Sequence, residues 1–264
     1  MSGSSAIMNI MQAAARKASR SLLRDFSEVE TLQVSRKGPA DFVSRADKKA
    51  EETIFEELSR ARPGYGFLME EGGSIDRKSD HRWIIDPLDG TTNFLHSIPI
   101  FAVSLALESH GELVAGVIYN PATEELFTAE KGKGAFFNDR RMRVAVRKEL
   151  SDCVIATGIP GLGRKGHPDF VAVEKEVMMR AAAVRATGSA ALNLAWLAAG
   201  RMDGYWEEGL SPWDIAAGML MVREAGGFVS EPNPKASIYE SGRLVAGNET
   251  IHGQLRTIVN DSTS

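Results

Sequence analysis

Acidic side chains stand at three places in this chain where a hydrophobic run begins or stops. Trp83-Ile84-Ile85 runs into Asp86-Pro87-Leu88-Asp89-Gly90-Thr91-Thr92-Asn93, two carboxylates three residues apart followed by a glycine that permits a sharp turn. Phe67-Leu68-Met69 runs into Glu70-Glu71-Gly72-Gly73, and Asp214 follows Pro212-Trp213 at the head of the apolar run Ile215 to Met221. Carboxylates at strand ends suit a hard cation such as magnesium, which takes oxygen ligands. A helix start that Thr91 and Thr92 can cap attracts an anion. Together these are the means of holding a phosphate group. Each acid alone also has a plainer use: Asp86 and Asp89 can cap turn amides, and Asp214 fits a first helical turn, where the dipole favours an acid. It is the recurrence in one chain that points to a shared metal site.

Other side chains narrow the chemistry. The five histidines, His81, His96, His110, His167 and His252, show no paired HxxxH spacing, so the cation is an oxygen-loving one and the histidines read as surface or packing residues. Cys153 is the only cysteine, which excludes an intrachain disulfide and a cysteine-rich zinc site and fits a small buried residue beside Val154 and Ile155. Gly161-Leu162-Gly163-Arg164-Lys165-Gly166 spells GxGxxG after a strand, but Val184-Arg185-Ala186 offers no acid at the end of the next one, so the segment reads as a flexible, partly basic loop. Arg140, Arg141, Arg143, Arg147 and Lys148 have no aromatic residues interleaved and read as a solvated strand edge.

The bulk properties agree. With 35 acidic against 31 basic residues the formal charge is -4, which argues against a coat for nucleic acid or anionic membrane. An anionic ligand needs local help from metal or helix ends. No apolar run approaches the roughly eighteen residues of a membrane span, and the expectation is a soluble cytoplasmic protein with no membrane contact.

The elements that must position these acids follow from periodicity. Ile7, Met11, Ala14, Ala18 and Leu22 repeat at helical spacing within Ala6 to Phe26, and Ala46, Ala50, Ile54 and Leu58 do so from about Ser44 to Arg60. Strands are expected at Phe67 to Met69, Trp83 to Ile85, Phe101 to Leu107, Leu113 to Tyr119, Glu125 to Ala129 and Ala135 to Asn138, with His110-Gly111 as a hairpin turn. Beyond residue 149 strands alternate with helices: strands at Val154 to Thr157, Gly204 to Trp206, Gly227 to Ser230 and Leu244 to Ala246, helices near Asp169 to Ala182, Ala190 to Ala199, Asp214 to Ala225 and Ile251 to Val259. That rhythm favours a mixed sheet covered by helices.

At this combination of motifs the chain resembles the inositol monophosphatase family, most of all its bacterial members. The matching segments are Lys37-Gly38-Pro39-Ala40-Asp41-Phe42-Val43-Ser44, Asp47, Glu70-Glu71, Trp83 to Phe94, Gly188-Ser189-Ala190-Ala191, and Gly209 to Asp214 followed by Glu224-Ala225-Gly226-Gly227. The resemblance implies a magnesium-dependent phosphomonoesterase acting on a small polyol phosphate, inositol 1-phosphate first among them. It implies a metal site of Glu70, Asp86 and the Leu88 carbonyl, a second of Asp86, Asp89 and Asp214, and a weaker third ion near Glu70, with manganese as a substitute ion. Glu70 and the pair Asp47 and Thr91 would orient and activate water. Substrate would be touched by Asp89, Gly90, Thr91, Gly188, Ser189, Ala190, Glu207 and Asp214, with Glu208 leaving the Glu207 assignment open, and Lys37 would lie in a mobile loop.

The implied fold is the layered α/β sugar-phosphatase fold, a single unit over 1–264. Its half 1–148 would hold an antiparallel sheet and most metal ligands; its half 149–264 would hold a mixed sheet, the substrate contacts and Asp214. The family likeness also implies a homodimer and lithium sensitivity. Relatives with the same metal motif hydrolyse fructose 1,6-bisphosphate, 3'-phosphoadenosine 5'-phosphate or histidinol phosphate, and some bacterial relatives partner the transcription machinery. Those are the alternatives for this chain.

Overall fold

Two helices with one apolar face each come first in the computed structural model, which describes residues 5–28, 34–36, 42–161 and 166–263. Helix α1 (Ala6–Phe26) is capped by Ser5, whose side chain accepts the Met8 N–H, and buries Met11, Ala14, Ala18 and Leu22. A short antiparallel pair, β1 (Val34–Arg36) and β2 (Phe42–Ser44), separates it from α2 (Arg45–Ala61). Helix α2 buries Ala46, Asp47, Ala50, Glu51, Ile54 and Leu58. Lys37 lies outside the described residues.

The first sheet is built from β3 (Gly66–Met69), β4 (Gly73–Ile75), β5 (His81–Asp89), β6 (Ala102–Ser109), β7 (Glu112–Asn120), β8 (Glu125–Glu130), β9 (Gly134–Phe137) and β10 (Arg140–Arg141), with the short α3 (Thr91–Leu95) after β5. Its order is β10-β9-β8-β7-β6-β5-β3-β4. The expected antiparallel sheet is corrected at one join: β3 and β5 run parallel, Gly66 opposite Arg82 through Met69 opposite Ile85. The connection passes through β4, so the chain returns beside β3 in the same direction. This puts the C-terminal ends of β3 and β5, with their acids, side by side at the same end of the sheet.

The second sheet has order β12-β11-β13-β15-β14, from β11 (Val154–Thr157), β12 (Ala183–Ala186), β13 (Gly204–Glu207), β14 (Phe228–Ser230) and β15 (Leu244–Gly247). It is mixed as expected, with β11 parallel to both β12 and β13 and the other pairs antiparallel. Its helices are α4 (His167–Met178), α5 (Ala190–Ala198), α6 (Pro212–Glu224), α7 (Ile238–Ser241) and α8 (Glu249–Ser262). Residues 162–165 of the glycine-rich loop before α4 lie outside the described residues. The β11-α4-β12 unit has the right order for a dinucleotide fingerprint, yet β12 ends in Arg185 and Ala186 and carries no acid.

Alternating side chains divide the core into layers. Trp83 and Ile85 of β5 pack with α1 and α2, whereas Ile84 points the other way, toward α5 and α6. On the second sheet Ala156, Tyr205, Leu244 and Ala246 face α5 and α6, while Ile155, Trp206 and Val245 face α4 and α8. The layers are therefore helices, sheet, helices, sheet, helices, with α5 and α6 enclosed between the sheets. Enclosure explains their composition: α5 reads Ala-Ala-Leu-Asn-Leu-Ala-Trp-Leu-Ala, apolar on almost every side. Gly218 of α6 allows the close approach, since a Cβ there would lie 2.5 Å from the Leu194 Cβ.

Candidate functional site

Asp86 and Asp89 share a side of β5 because of a bulge. Residues three apart on a regular strand point to opposite faces. Here Asp86 pairs with Ser104 and Asp89 with Ala102, so β5 spends three steps where β6 spends two. The extra residue turns the second carboxylate back toward the first. Pro87 suits the bulge because it has no N–H to place in the ladder, and Asp86 Oδ1 accepts the Leu88 N–H at 2.9 Å.

Gly90 then turns the chain into α3 with φ 92°, and a Cβ there would meet the Ile100 carbonyl at 2.8 Å, so both conformation and space call for glycine. The Thr91 hydroxyl donates to the Leu88 carbonyl at 3.0 Å, which holds that carbonyl in place.

Other elements bring the remaining acids. The Glu70 N–H donates to the Ile85 carbonyl at 3.2 Å, extending the parallel pairing one residue and laying Glu70 beside Asp86. Asp214 stands in the first turn of α6, where one oxygen, Oδ2, accepts the Ser211 N–H at 2.7 Å. Helix-capping acid and candidate ligand are thus compatible in one side chain. Asp86, Asp89 and Asp214 each offer an oxygen within 4.8 Å of the others. Asp86 is buried, and the other two are half-buried.

The electrostatics show what this crowding costs. Burial, followed by the charges of Asp214, Glu71 and Asp89, pushes the Glu70 carboxyl up to about 8. Burial also raises Asp89 to about 6, against the pull of the Ser189 hydroxyl and the α5 amides. Asp86 is raised well above the carboxylate range by burial, then by Glu70, Asp89, Asp214 and Asp47. Like charges gathered out of water require a proton or a cation. Oxygen-only donors at this spacing fit a hard divalent ion and not a soft one.

The residues expected to touch substrate from the second half of the chain come with α5 and β13. Ser189 caps α5, accepting the Leu192 N–H at 3.2 Å, and its hydroxyl donates to Asp89 Oδ2, which also accepts the Ala191 N–H at 2.9 Å. Ser189, expected as a substrate contact, therefore holds a candidate metal ligand. Gly188, φ 80°, packs against Asn93, whose amide donates to the Ile100 and Thr187 carbonyls, both at 2.8 Å. Glu207 ends β13 and accepts the Tyr205 hydroxyl at 2.6 Å, whereas Glu208 pairs with Arg243 at 2.9 Å. Those partners separate the two neighbouring glutamates.

Asp47 is buried in the first turn of α2 and its charge reaches Asp86. One residue near it escaped the sequence reading. Glu51, buried, accepts the Glu71 N–H at 2.9 Å and so anchors the Glu70-Glu71 turn to α2. Its signal was present: 47, 50, 51, 54 and 58 form one stripe at helical spacing, so Glu51 belongs to the inner face. The histidines stay outside the cluster, His252 pairing with Ser230 at 2.8 Å and His81 stacking on Tyr65.

Comparison with known proteins agrees with this geometry. The family model described as the inositol monophosphatase family matches residues 4–264. The chain is 62% identical over 252 residues to an inositol-1-monophosphatase of Mesorhizobium japonicum, covering 95% of each. It is 44% identical to a Nus factor SuhB of Xylella fastidiosa over 261 residues, 96% of this chain and 94% of the relative. The crystal structure of the extragenic suppressor protein suhB from Bartonella henselae superposes with a TM-score of 0.94 at 59% identity, covering 97% of this chain and 98% of that one. The chain belongs to the inositol monophosphatase family, a metal-dependent family of phosphoric monoester hydrolases.

Proposed function

We propose that this protein hydrolyses a small polyol phosphate, inositol 1-phosphate before others, with magnesium held by Asp86, Asp89, Asp214, Glu70 and the Leu88 carbonyl. The observation that carries the reading is the meeting of Asp86, Asp89 and Asp214, from a strand bulge and a distant helix start, within 4.8 Å of one another. The name of the 62% identical relative supports the substrate. A hard divalent ion at such a site neutralises phosphate oxygens and makes a bound water more acidic.

The chain's own residues divide the remaining work. The N–H groups that follow Gly90 face the phosphate with the field of a helix start. Glu70 and the pair Asp47 and Thr91 orient and activate the attacking water. Asp47 is buried in the first turn of α2. Glu207 accepts a hydrogen bond from a substrate hydroxyl. Purified protein should release phosphate from inositol 1-phosphate with magnesium and stop when EDTA is added. Undiminished turnover in EDTA, or no anomalous signal at the carboxylates in manganese-soaked crystals, would refute the proposal.

A second role as a partner of the transcription machinery is favoured by the similarity to a Nus factor. Retention of RNA polymerase or antitermination factors from lysate on the immobilised protein tests it. A cytoplasmic homodimer inhibited by lithium completes the proposal. Among the described residues no helix is long and apolar enough to cross a membrane.

A further inference from the structure

We infer that Tyr205 and Gly158 are positioning residues that set the preference for hydroxyl-bearing phosphate esters, by fixing the Glu207 carboxylate in one place. The inference rests on the reading of Glu207 as the polyol contact. Tyr205 and Glu207 are two apart on β13 and so share a strand face, the one turned toward α5 and α6. The Tyr205 ring is fully buried, and its hydroxyl donates to Glu207 Oε2 at 2.6 Å. Burial and the adjacent Glu207 raise the phenol well above the usual tyrosine range, with Asp89 and Asp214 adding to the effect. The hydroxyl keeps its proton and acts as a permanent donor.

Gly158 constrains the carboxylate from the other side. It follows β11, whose Thr157 pairs with Trp206, so its backbone runs alongside Glu207. A Cβ on Gly158 would lie 1.9 Å from Glu207 Oε1, 2.0 Å from Cδ and 2.3 Å from Oε2. The carboxyl group occupies the room that any other residue would need for its own side chain. Backbone conformation does not require the glycine, since Gly158 is not among the positive-φ residues. What remains is the space it leaves. One residue holds Glu207 by a hydrogen bond and the other by making room, and both act on the same carboxyl group.

Phosphate-ester binding by the acidic cluster does not depend on this device, so the two parts of the substrate can be separated. Tyr205→Phe and Gly158→Ala should be assayed on inositol 1-phosphate and on p-nitrophenyl phosphate, which has the scissile ester and no hydroxyl for Glu207. Each variant is expected to raise KM for inositol 1-phosphate by about ten-fold, the size of effect expected when a buried hydrogen-bonding group is misplaced, with kcat on the same substrate changed less than about two-fold. The kcat/KM for p-nitrophenyl phosphate should stay within about two-fold, so the ratio between substrates falls. Parallel losses on both substrates in variants that melt like the parent, or an unchanged KM in both variants, overturn the inference. Should Gly158→Ala fail to fold, Tyr205→Phe decides, since it removes one oxygen only. Glu207→Gln tests the underlying reading separately. If it leaves the substrate ratio intact, Glu207 is not the polyol contact; if it collapses the ratio and the other two variants do not, only the positioning role is lost.

Discussion

The Ser189 hydroxyl donates its hydrogen bond to Asp89, a residue one hundred positions earlier and on the other sheet's strand. The same hydroxyl accepts the Leu192 N–H, so one oxygen caps α5 and aims a candidate metal ligand. Ser189→Ala removes both bonds and leaves Asp89 the Ala191 N–H. The magnesium concentration for half-maximal activity should rise about ten-fold, in the range found for partners that orient a ligand. Stability should fall by about 1 kcal/mol from the lost cap. An unchanged activation curve would mean that Asp89 needs no help from the second sheet.

Asp214 uses one oxygen for the Ser211 N–H, and an asparagine can accept that bond equally well. Asp214→Asn should therefore unfold within about 1 kcal/mol of the parent while turnover drops by about 100-fold or more through the lost ligand charge. Asp214→Ala should lose turnover and also stability, because the capping bond goes with the charge. Full activity in the asparagine variant would remove Asp214 from the metal site.

Much of this arrangement was legible beforehand, and the gaps have physical causes. Helices α1 and α2 show in the periodicity because each has a wet face and a dry one, and strands β6 and β7 show as continuous apolar runs because helices cover both faces of their sheet. Strand β5 was expected to stop at Ile85 yet continues to Asp89, since Asp-Pro in a strand signals termination and the bulge that absorbs it is visible only beside β6. The parallel pairing of β3 with β5 is equally hidden, being a property of the path through β4. Helix α7 has four residues between β14 and β15, too short for any period to show. The acids Glu70, Asp86, Asp89 and Asp214 stood out because carboxylates at the ends of apolar runs are costly without a purpose. The partners that hold them, Glu51 under the Glu70-Glu71 turn and the Ser211 N–H on Asp214, look ordinary until the chain is folded.

Gly90 carries a conformational demand and a steric one at a single position. Its φ of 92° is unfavourable for any residue with a side chain, and the nearest obstacle, the Ile100 carbonyl at 2.8 Å, is backbone and cannot turn aside. Gly90→Ala should destabilise the fold by about 2 kcal/mol or more. It should also shift Asp89 and Thr91, the residues on either side, so that activity falls in the fraction that remains folded. Chemical denaturation beside a specific-activity measurement checks both; a stable and fully active variant would show that the turn has freedom to move.

The raised carboxyls predict how stability responds to pH once EDTA has stripped divalent ions. Asp89 and Glu70 sit near 6 and 8, above the ordinary range that they recover on unfolding. Between the two ranges the folded state holds protons that the unfolded chain has already released, so raising the pH favours unfolding. This contribution is complete below about pH 4 and is lost as pH climbs through about 6 and then about 8. In EDTA the unfolding midpoint should fall steadily from about pH 5 to about pH 8.5. Excess magnesium should reverse the trend, because a divalent ion replaces the protons as counter-charge and binds better as they leave. The two curves should converge at the acid end and separate by several degrees at the alkaline end, measured by thermal unfolding at fixed ionic strength. Curves that run parallel, with magnesium adding the same increment at every pH, would show that the ion binds somewhere other than among Glu70, Asp86 and Asp89.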